Sequence, residues 1–255
     1  MRNALYIHNV EVHNSTAAEH ILPSVFNIIK PSKVIDIGCG TGSWLKVAKK
    51  LGANRVLGID GVQVSKALLE IEVNEFQKHN LTSPFVSNEK FDLAICLEVA
   101  EHLPESAADT LVDTLADVSN ILLFSAALPG QGGQNHINEQ WPEYWQHKFA
   151  TKGLYPLDII RVKHWLNDEV DWWYKQNMVL YTTRNLAEKF NVVPNRKIQT
   201  YIHPDLFNLK TKHLREALAE IERIKLEYEH VLKRSQHPTI IQALKSLLKA
   251  FIKAR

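Results

Sequence analysis

The run KVIDIGCGTGSW, Lys33 to Trp44, constrains the fold more than any other stretch of the chain. Its first residues are apolar and β-branched, which predicts a short buried strand. Gly38, Gly40 and Gly42 follow at alternate positions. SWLKVAKKLG, Ser43 to Gly52, then shows helical periodicity with a terminal glycine as its stop. Glycines fall there because the backbone must turn tightly and approach a ligand with no Cβ in the way. A strand, a glycine turn and a helix in that order predict an α/β unit needing further parallel strands beside it.

The rest of the first half supplies them. NSTAAEHILPSVFNIIK, Asn14 to Lys30, predicts a helix with Asn14 or Ser15 as N-cap, kinked or divided at Pro23. RVLGID, FDLAICLE and NILLFSAA predict buried strands, and SAADTLVDTLADV an amphipathic helix between the last two. VSKALLEIE reads as a helix or a turn. LDIIRV and NMVLYTT look like a closing pair of strands around a tryptophan-rich insertion. The alternation argues for a mostly parallel sheet with helices on both faces.

Beyond Arg184 the composition shifts to Lys, Glu and Leu, which divides the chain into a 1–184 domain and a helical extension, 185–255. Leu214, Ala217, Ile221, Ile224, Tyr228 and Val231 recur at three- and four-residue steps, a heptad seam. It serves either a homodimer through the C-terminal helices or a fold-back onto the chain's own domain. Residues 239–255 carry an apolar face opposite Lys245, Lys249 and Lys253. That face packs on protein or, as a second reading, rests on an anionic membrane as a peripheral contact.

Composition excludes several classes. A formal net charge of +2 gives no global electrostatic case for a nucleic-acid partner. No apolar run reaches the roughly 18 residues of a membrane span, and the N-terminus has no signal-peptide pattern. Cys39 and Cys96 lie in or beside apolar runs without metal-ligand spacing. Reduced thiols of that kind predict a cytoplasmic protein. His136 and His147 have no ligand partners at recognisable spacing, so no metal site is expected.

Within the glycine loop the pattern is DxGxGxG, whereas a dinucleotide fingerprint, GxGxxG, would put its third glycine at Ser43. The carboxylate of Asp36 disfavours an anion there and favours a ligand carrying an ammonium. That makes a nicotinamide dehydrogenase a poor reading. Asp60 ends the second strand, about twenty residues beyond the loop, where an acid can accept both hydroxyls of a ribose.

On these residues, segment 14–184 resembles the donor-binding half of the class I S-adenosylmethionine-dependent methyltransferases. The resemblance implies a Rossmann-like, mostly parallel seven-stranded sheet and S-adenosyl-L-methionine as methyl donor, with S-adenosyl-L-homocysteine as product. It implies that Asp36, Gly38, Gly40 and Gly42 hold the methionyl end and that Asp60 holds the ribose. Asn80 and Leu81, standing where the family often has Asp-Leu, would flank the adenine. CLEVAEHLP, Cys96 to Pro104, places Glu98 near the sulfonium.

The acceptor side falls to LPGQGGQNHINEQWPEYW, Leu128 to Trp145, because ligands bind beyond the carboxyl ends of the strands in open α/β sheets. His136 is the candidate general base, its unperturbed pKa being near neutral. Glu139 would orient it or bind the acceptor, and Asn138 and Gln140 would hydrogen-bond a polar substrate. His102 reads as structural. Trp141, Trp145, Trp165, Trp172 and Trp173 crowd the region, and Asp168, Glu169 and Asp171 form an acidic cluster beside them. Aromatic faces suit sugar rings, flat heterocycles or cations, though Trp145 and Trp173 read as lid. The expected function is methyl transfer to an oxygen or nitrogen of a small polar molecule or glycan, the loop resembling bacterial surface-polysaccharide and natural-product enzymes. A nucleic-acid methyltransferase and a non-catalytic donor-binding scaffold are the alternatives.

Overall fold

In the computed structural model, residues 15–195 and 197–234, with 239, 242 and 243, are described. The chain divides into two compact units, Met1–His203 and Pro204–Arg255.

The first unit opens on helix α1, Thr16–Ile29, followed by β1 (Lys33–Ile37), α2 (Ser43–Lys50), β2 (Arg55–Asp60) and the short β3 (Phe76–Lys78). β4 (Leu93–Leu97), α3 (Ala108–Val118) and β5 (Ile121–Ser125) come next. The remainder is α4 (Pro142–Ala150), β6 (Tyr155–Leu157), α5 (Ile160–His164), α6 (Trp172–Asn177), β7 (Val179–Thr182) and α7 (Arg184–Lys189). The seven strands form one sheet in the order β3-β2-β1-β4-β5-β7-β6. β1 to β5 pair in parallel, and β7 runs antiparallel to both β5 and β6.

Strand alternation explains the layering. Val34, Leu93, Ile95 and Leu123 face one way and pack with α1 and α2. Ile35, Ala94, Cys96 and Leu122 face the other, with α3 and α4. Successive strand residues point to opposite faces, so a sheet covered on both sides needs unbroken apolar runs. β4 and β5 are buried at every position.

Pro23 lies inside α1 without dividing it, and Ser15, one of the two N-cap candidates, stands at its N-cap. VSKALLEIE takes the turn reading. Other expectations change. LDIIRV contributes only Leu157 to a strand, and from Ile160 it is helical. Its Ile-Ile pair imitates a strand, but Asp158 and Arg161 meet at helical i,i+3 spacing. Arg161, 1% exposed, donates to both oxygens of Asp158 at 2.7 and 2.6 Å and to the carbonyls of Gln176 and Gln199. It also lies over the Tyr201 ring. That anchor, with buried Ala187 and Ile198, carries the first unit on to His203, past the expected end at Arg184.

In the second unit, helix α8 spans Pro204–Arg234, and its Leu214, Leu218 and Ile224 are exposed. The amphipathic segment 239–255 lies outside the described residues except for 239, 242 and 243. Among the described residues, no helix is long and apolar enough to cross a membrane.

Candidate active site

β1 and β4 are neighbours, and the chain leaves them toward opposite sides of the sheet, so their carboxyl ends open a crevice. A cleft of about 290 Å³ lies there. Asp36, Gly38, Gly40, Asp60, Asn80, Leu81 and Glu98 all line it, so seven of the eight expected donor-site residues meet in one place. Gly42 does not line it; a Cβ there would fall 2.8 Å from Ile71 Cγ1, so this glycine serves packing.

The loop after β1 is held by β2: the amides of Gly38 and Cys39 both donate to the Ile59 carbonyl, at 2.7 and 3.0 Å. Gly38 has φ +87°, and a Cβ on it would come 2.3 Å from Val99 Cγ2. Its bare backbone thus lets the segment after β4 close against the glycine loop. Asp60 braces the same loop, its Oδ2 accepting from the Gly40 amide at 2.8 Å and its Oδ1 from the Val62 amide at 2.8 Å. Asp36 is 3% exposed, and burial, reinforced by the charge of Asp60, pushes its carboxyl well above the usual range. Asn80 Oδ1, expected to face an adenine amino group, accepts instead from the Thr82 amide and hydroxyl at 3.1 and 2.9 Å.

At the far end of the cleft, Glu98 has φ 52° and Asn135 φ 59°, the left-handed region that non-glycine residues seldom occupy. Both line the cleft. A buried amide network grips Glu98: Gln131 Nε2 donates to its Oε2 at 3.0 Å, and Asn177 Nδ2 to its Oε1 at 3.2 Å. Asn177 also donates to Gln131 Oε1 at 2.9 Å. Burial raises the Glu98 carboxyl, and hydrogen bonds from Asn177 and Gln131 work against that rise. Gln131 and Asn177 were not singled out in the sequence. The glycines on either side of Gln131 made the whole segment look like mobile loop.

His136 is not among the cleft-lining residues, whereas His102, expected to be structural, is. The two rings meet edge to face, centroids 4.9 Å apart. Glu139 lies 2.9 Å from His136 Nδ1 and accepts from the Gly130 and Gly132 amides at 2.6 Å each. Burial tends to raise the Glu139 carboxyl, but the hydrogen bonds from His136, Gly132 and Gly130 together hold it below its ordinary value. Glu139 as a carboxylate accepts from Nδ1, and Nε2 is the ring's other nitrogen. A Cβ on Gly133 would fall 2.2 Å from that Nε2. Gly133→Ala is therefore expected to swing the ring off Glu139 and cost about 1–3 kcal/mol, read as a lowered Tm together with a shifted His136 imidazole resonance by NMR.

The other expected acceptor contacts are structural. Asn138 is buried, and its Oδ1 accepts from Gln140 Nε2 at 2.9 Å. Trp145 sits in the core against Phe124, not over the site. Of the five crowded tryptophans only Trp173 lines the cleft, joined by Tyr174 and by Trp44, which opens α2. Asp168, Glu169 and Asp171 stay outside the lining. No metal-ligand spacing is visible along the sequence, but in the fold ligand atoms of Glu101, His102 and His136 all lie within 4.8 Å of one another. The folded loop, not sequence spacing, brings His136 to the other two.

A model of the methyltransferase domain family matches residues 6–194. Ribosomal protein L11 methyltransferase of Caldicellulosiruptor saccharolyticus is 38% identical over 118 residues, covering 43% of this chain and 35% of that protein. Ubiquinone biosynthesis O-methyltransferase of a Methylobacterium species is 31% identical over 102 residues, covering 37% of this chain and 40% of its own. The matched segment thus spans well under two thirds of either relative. Among solved structures, magnesium protoporphyrin IX methyltransferase from Synechocystis, with bound SAH, is 17% identical; 71% of this chain and 90% of that one are covered at a TM-score of 0.46.

Proposed function

This chain belongs to the class I S-adenosylmethionine-dependent methyltransferases, and from that premise we propose that it methylates an oxygen or nitrogen of a small polar molecule or glycan. One observation carries the donor assignment. The cleft is lined by Asp36, Asp60 and Glu98, with no lysine or arginine among the described lining residues. Such a wall repels the pyrophosphate of a dinucleotide and attracts a ligand bearing ammonium and sulfonium charges. Asp36 stands where an ammonium would relieve its burial. Asp60 keeps lone pairs for ribose hydroxyls, because each carboxylate oxygen can accept twice.

The bound donor supplies an electrophilic methyl group on sulfur. The chain's contribution is to hold an acceptor atom in line with it, since alignment accounts for much of the rate of such a displacement. The new bond forms from acceptor to methyl carbon as the carbon–sulfur bond breaks, and the electron pair stays on sulfur. An alcohol must also lose its proton, and His102 with His136 behind it are the imidazoles at that end. Trp173 and Tyr174 offer flat apolar faces beside Asn135 and Glu98, a mixture suited to a sugar or small ring. The net charge of +2 supports this reading over a polyanionic acceptor.

The test is transfer from methyl-labelled S-adenosylmethionine to nucleotide sugars and oligosaccharides, small phenols, an oligoribonucleotide and a protein substrate. Label is expected in one of the first two groups. Label confined to RNA or protein overturns the acceptor class. Donor binding with no transfer to any acceptor overturns the enzymatic reading in favour of a scaffold.

A further inference from the structure

We propose that Glu101, His102 and His136 form a binding site for a divalent transition-metal ion at the acceptor end of the cleft. The proposal rests on the methyltransferase reading only for what the ion would serve, while its binding stands on the side chains themselves.

Glu101 is the first support. Its side chain is 0% exposed, and neither carboxylate oxygen has a hydrogen-bond partner. Glu98 is close enough to act on its charge. A buried carboxylate in that setting is costly unless a proton or a cation meets it. Two imidazoles from different parts of the chain sit against it.

The second support is distance. Ligand atoms of the three residues lie within 4.8 Å of one another. Donors each about 2.1 Å from one tetrahedral ion are about 3.4 Å apart, so the widest pair in the cluster must close by up to roughly 1.4 Å when an ion binds. The backbone already holds the two segments together. Ala100–His102 forms a single helical turn, and the amides of Ile137 and Asn138 donate to the Glu101 carbonyl at 2.8 and 3.1 Å.

Orientation is the third support. His136 Nδ1 is bonded to Glu139 at 2.9 Å, and Glu139 is fixed by the Gly130 and Gly132 amides. A ligating histidine commonly gives its other ring N–H to a carboxylate, which sets the tautomer and the ring plane. Glu139 fills that position at Nδ1, which leaves Nε2 as the nitrogen to meet an ion.

Two imidazoles and one carboxylate suit Mn²⁺, Fe²⁺, Co²⁺ or Zn²⁺ better than Mg²⁺, which prefers an all-oxygen set and its own waters. Three protein ligands leave positions open, and His102 lines the cleft. An acceptor hydroxyl bound there would have its pKa lowered, so the two imidazoles would act through an ion and not as free bases.

The full chain, treated with chelator and then freed of it, is titrated with Mn²⁺, Co²⁺ and Zn²⁺ alone by calorimetry, and the visible spectrum of the Co²⁺ form is recorded. One equivalent of at least one ion and Co²⁺ d–d bands are expected. Glu101→Gln and His136→Ala are each expected to abolish saturable binding. Glu139→Ala leaves the three ligating side chains in place but removes the bond to Nδ1 together with those from the Gly130 and Gly132 amides, and should weaken binding about 10–100-fold. S-adenosylhomocysteine binding, measured in parallel, reports that each variant is folded. Wild type that binds the nucleoside but none of the three ions overturns the metal site and leaves the methyltransferase reading standing. Equal metal binding by wild type and by folded His136→Ala overturns it as well. Metal binding without nucleoside binding would sink the functional reading alone.

Discussion

Asp60→Ala is expected to weaken S-adenosylhomocysteine binding by on the order of 10²–10⁴-fold. The carboxylate does two jobs in one place. It accepts from the Gly40 and Val62 amides at 2.8 Å each, fixing the glycine loop against the turn after β2. The same residue lines the cleft. Hydrogen bonds to a charged group contribute roughly 1.5–3 kcal/mol each, and every 1.4 kcal/mol or so is tenfold in Kd. Losing two such contacts gives the stated range. Asp60→Asn keeps one acceptor oxygen and should fall between wild type and Asp60→Ala. Calorimetric titration of the three proteins measures the series, and equal affinities would show that Asp60 only shapes the loop.

Asp36→Asn is expected to move binding and stability in opposite directions. Burial and the neighbouring Asp60 raise the Asp36 carboxyl well above 3.8 in the folded chain. A raised folded pKa means that the group's stability contribution is fully present below the unfolded value and is lost as pH rises through the folded one. Wild type without ligand therefore loses stability as pH rises above the unfolded value, a loss that the amide does not share. The variant should match wild-type Tm near pH 4 and exceed it at pH 7 to 8, by about 2–4 °C for each kcal/mol relieved. It should also lose the ammonium's counter-charge and bind the donor at least tenfold more weakly. Thermal scans across pH, without and with S-adenosylhomocysteine, separate the two effects. A variant less stable than wild type at pH 8 would mean that Asp36 already has a compensating partner.

The donor half was legible because its chemistry is local. Asp36 and the glycines sit in one run, and Asp60 ends the strand that pairs beside it, so spacing alone predicts that they converge. The acceptor half was not, because its contacts cross the fold. Gln131 reaches Glu98 from the loop after β5 and Asn177 from the end of α6, and no periodicity announces that. His102 reads as structural in the sequence, yet it lines the cleft, and the ring of His136 meets it edge to face. The cluster of Glu101, His102 and His136 is hidden for the same reason, because the loop after β5 brings His136 to Glu101 through backbone bonds. LDIIRV misled in the opposite way, its β-branched pair outweighing the i,i+3 Asp158–Arg161 spacing that makes it helical.

The central claim is that this acid-lined cleft holds a cationic sulfonium nucleoside and not a dinucleotide. Calorimetric titration of the wild-type chain with S-adenosylmethionine and, separately, with NAD⁺ tests it most directly. Saturable binding of one equivalent of S-adenosylmethionine, with no measurable heat from NAD⁺, is the predicted result; NAD⁺ binding as tightly as the sulfonium, or no binding of the sulfonium at all, would contradict it.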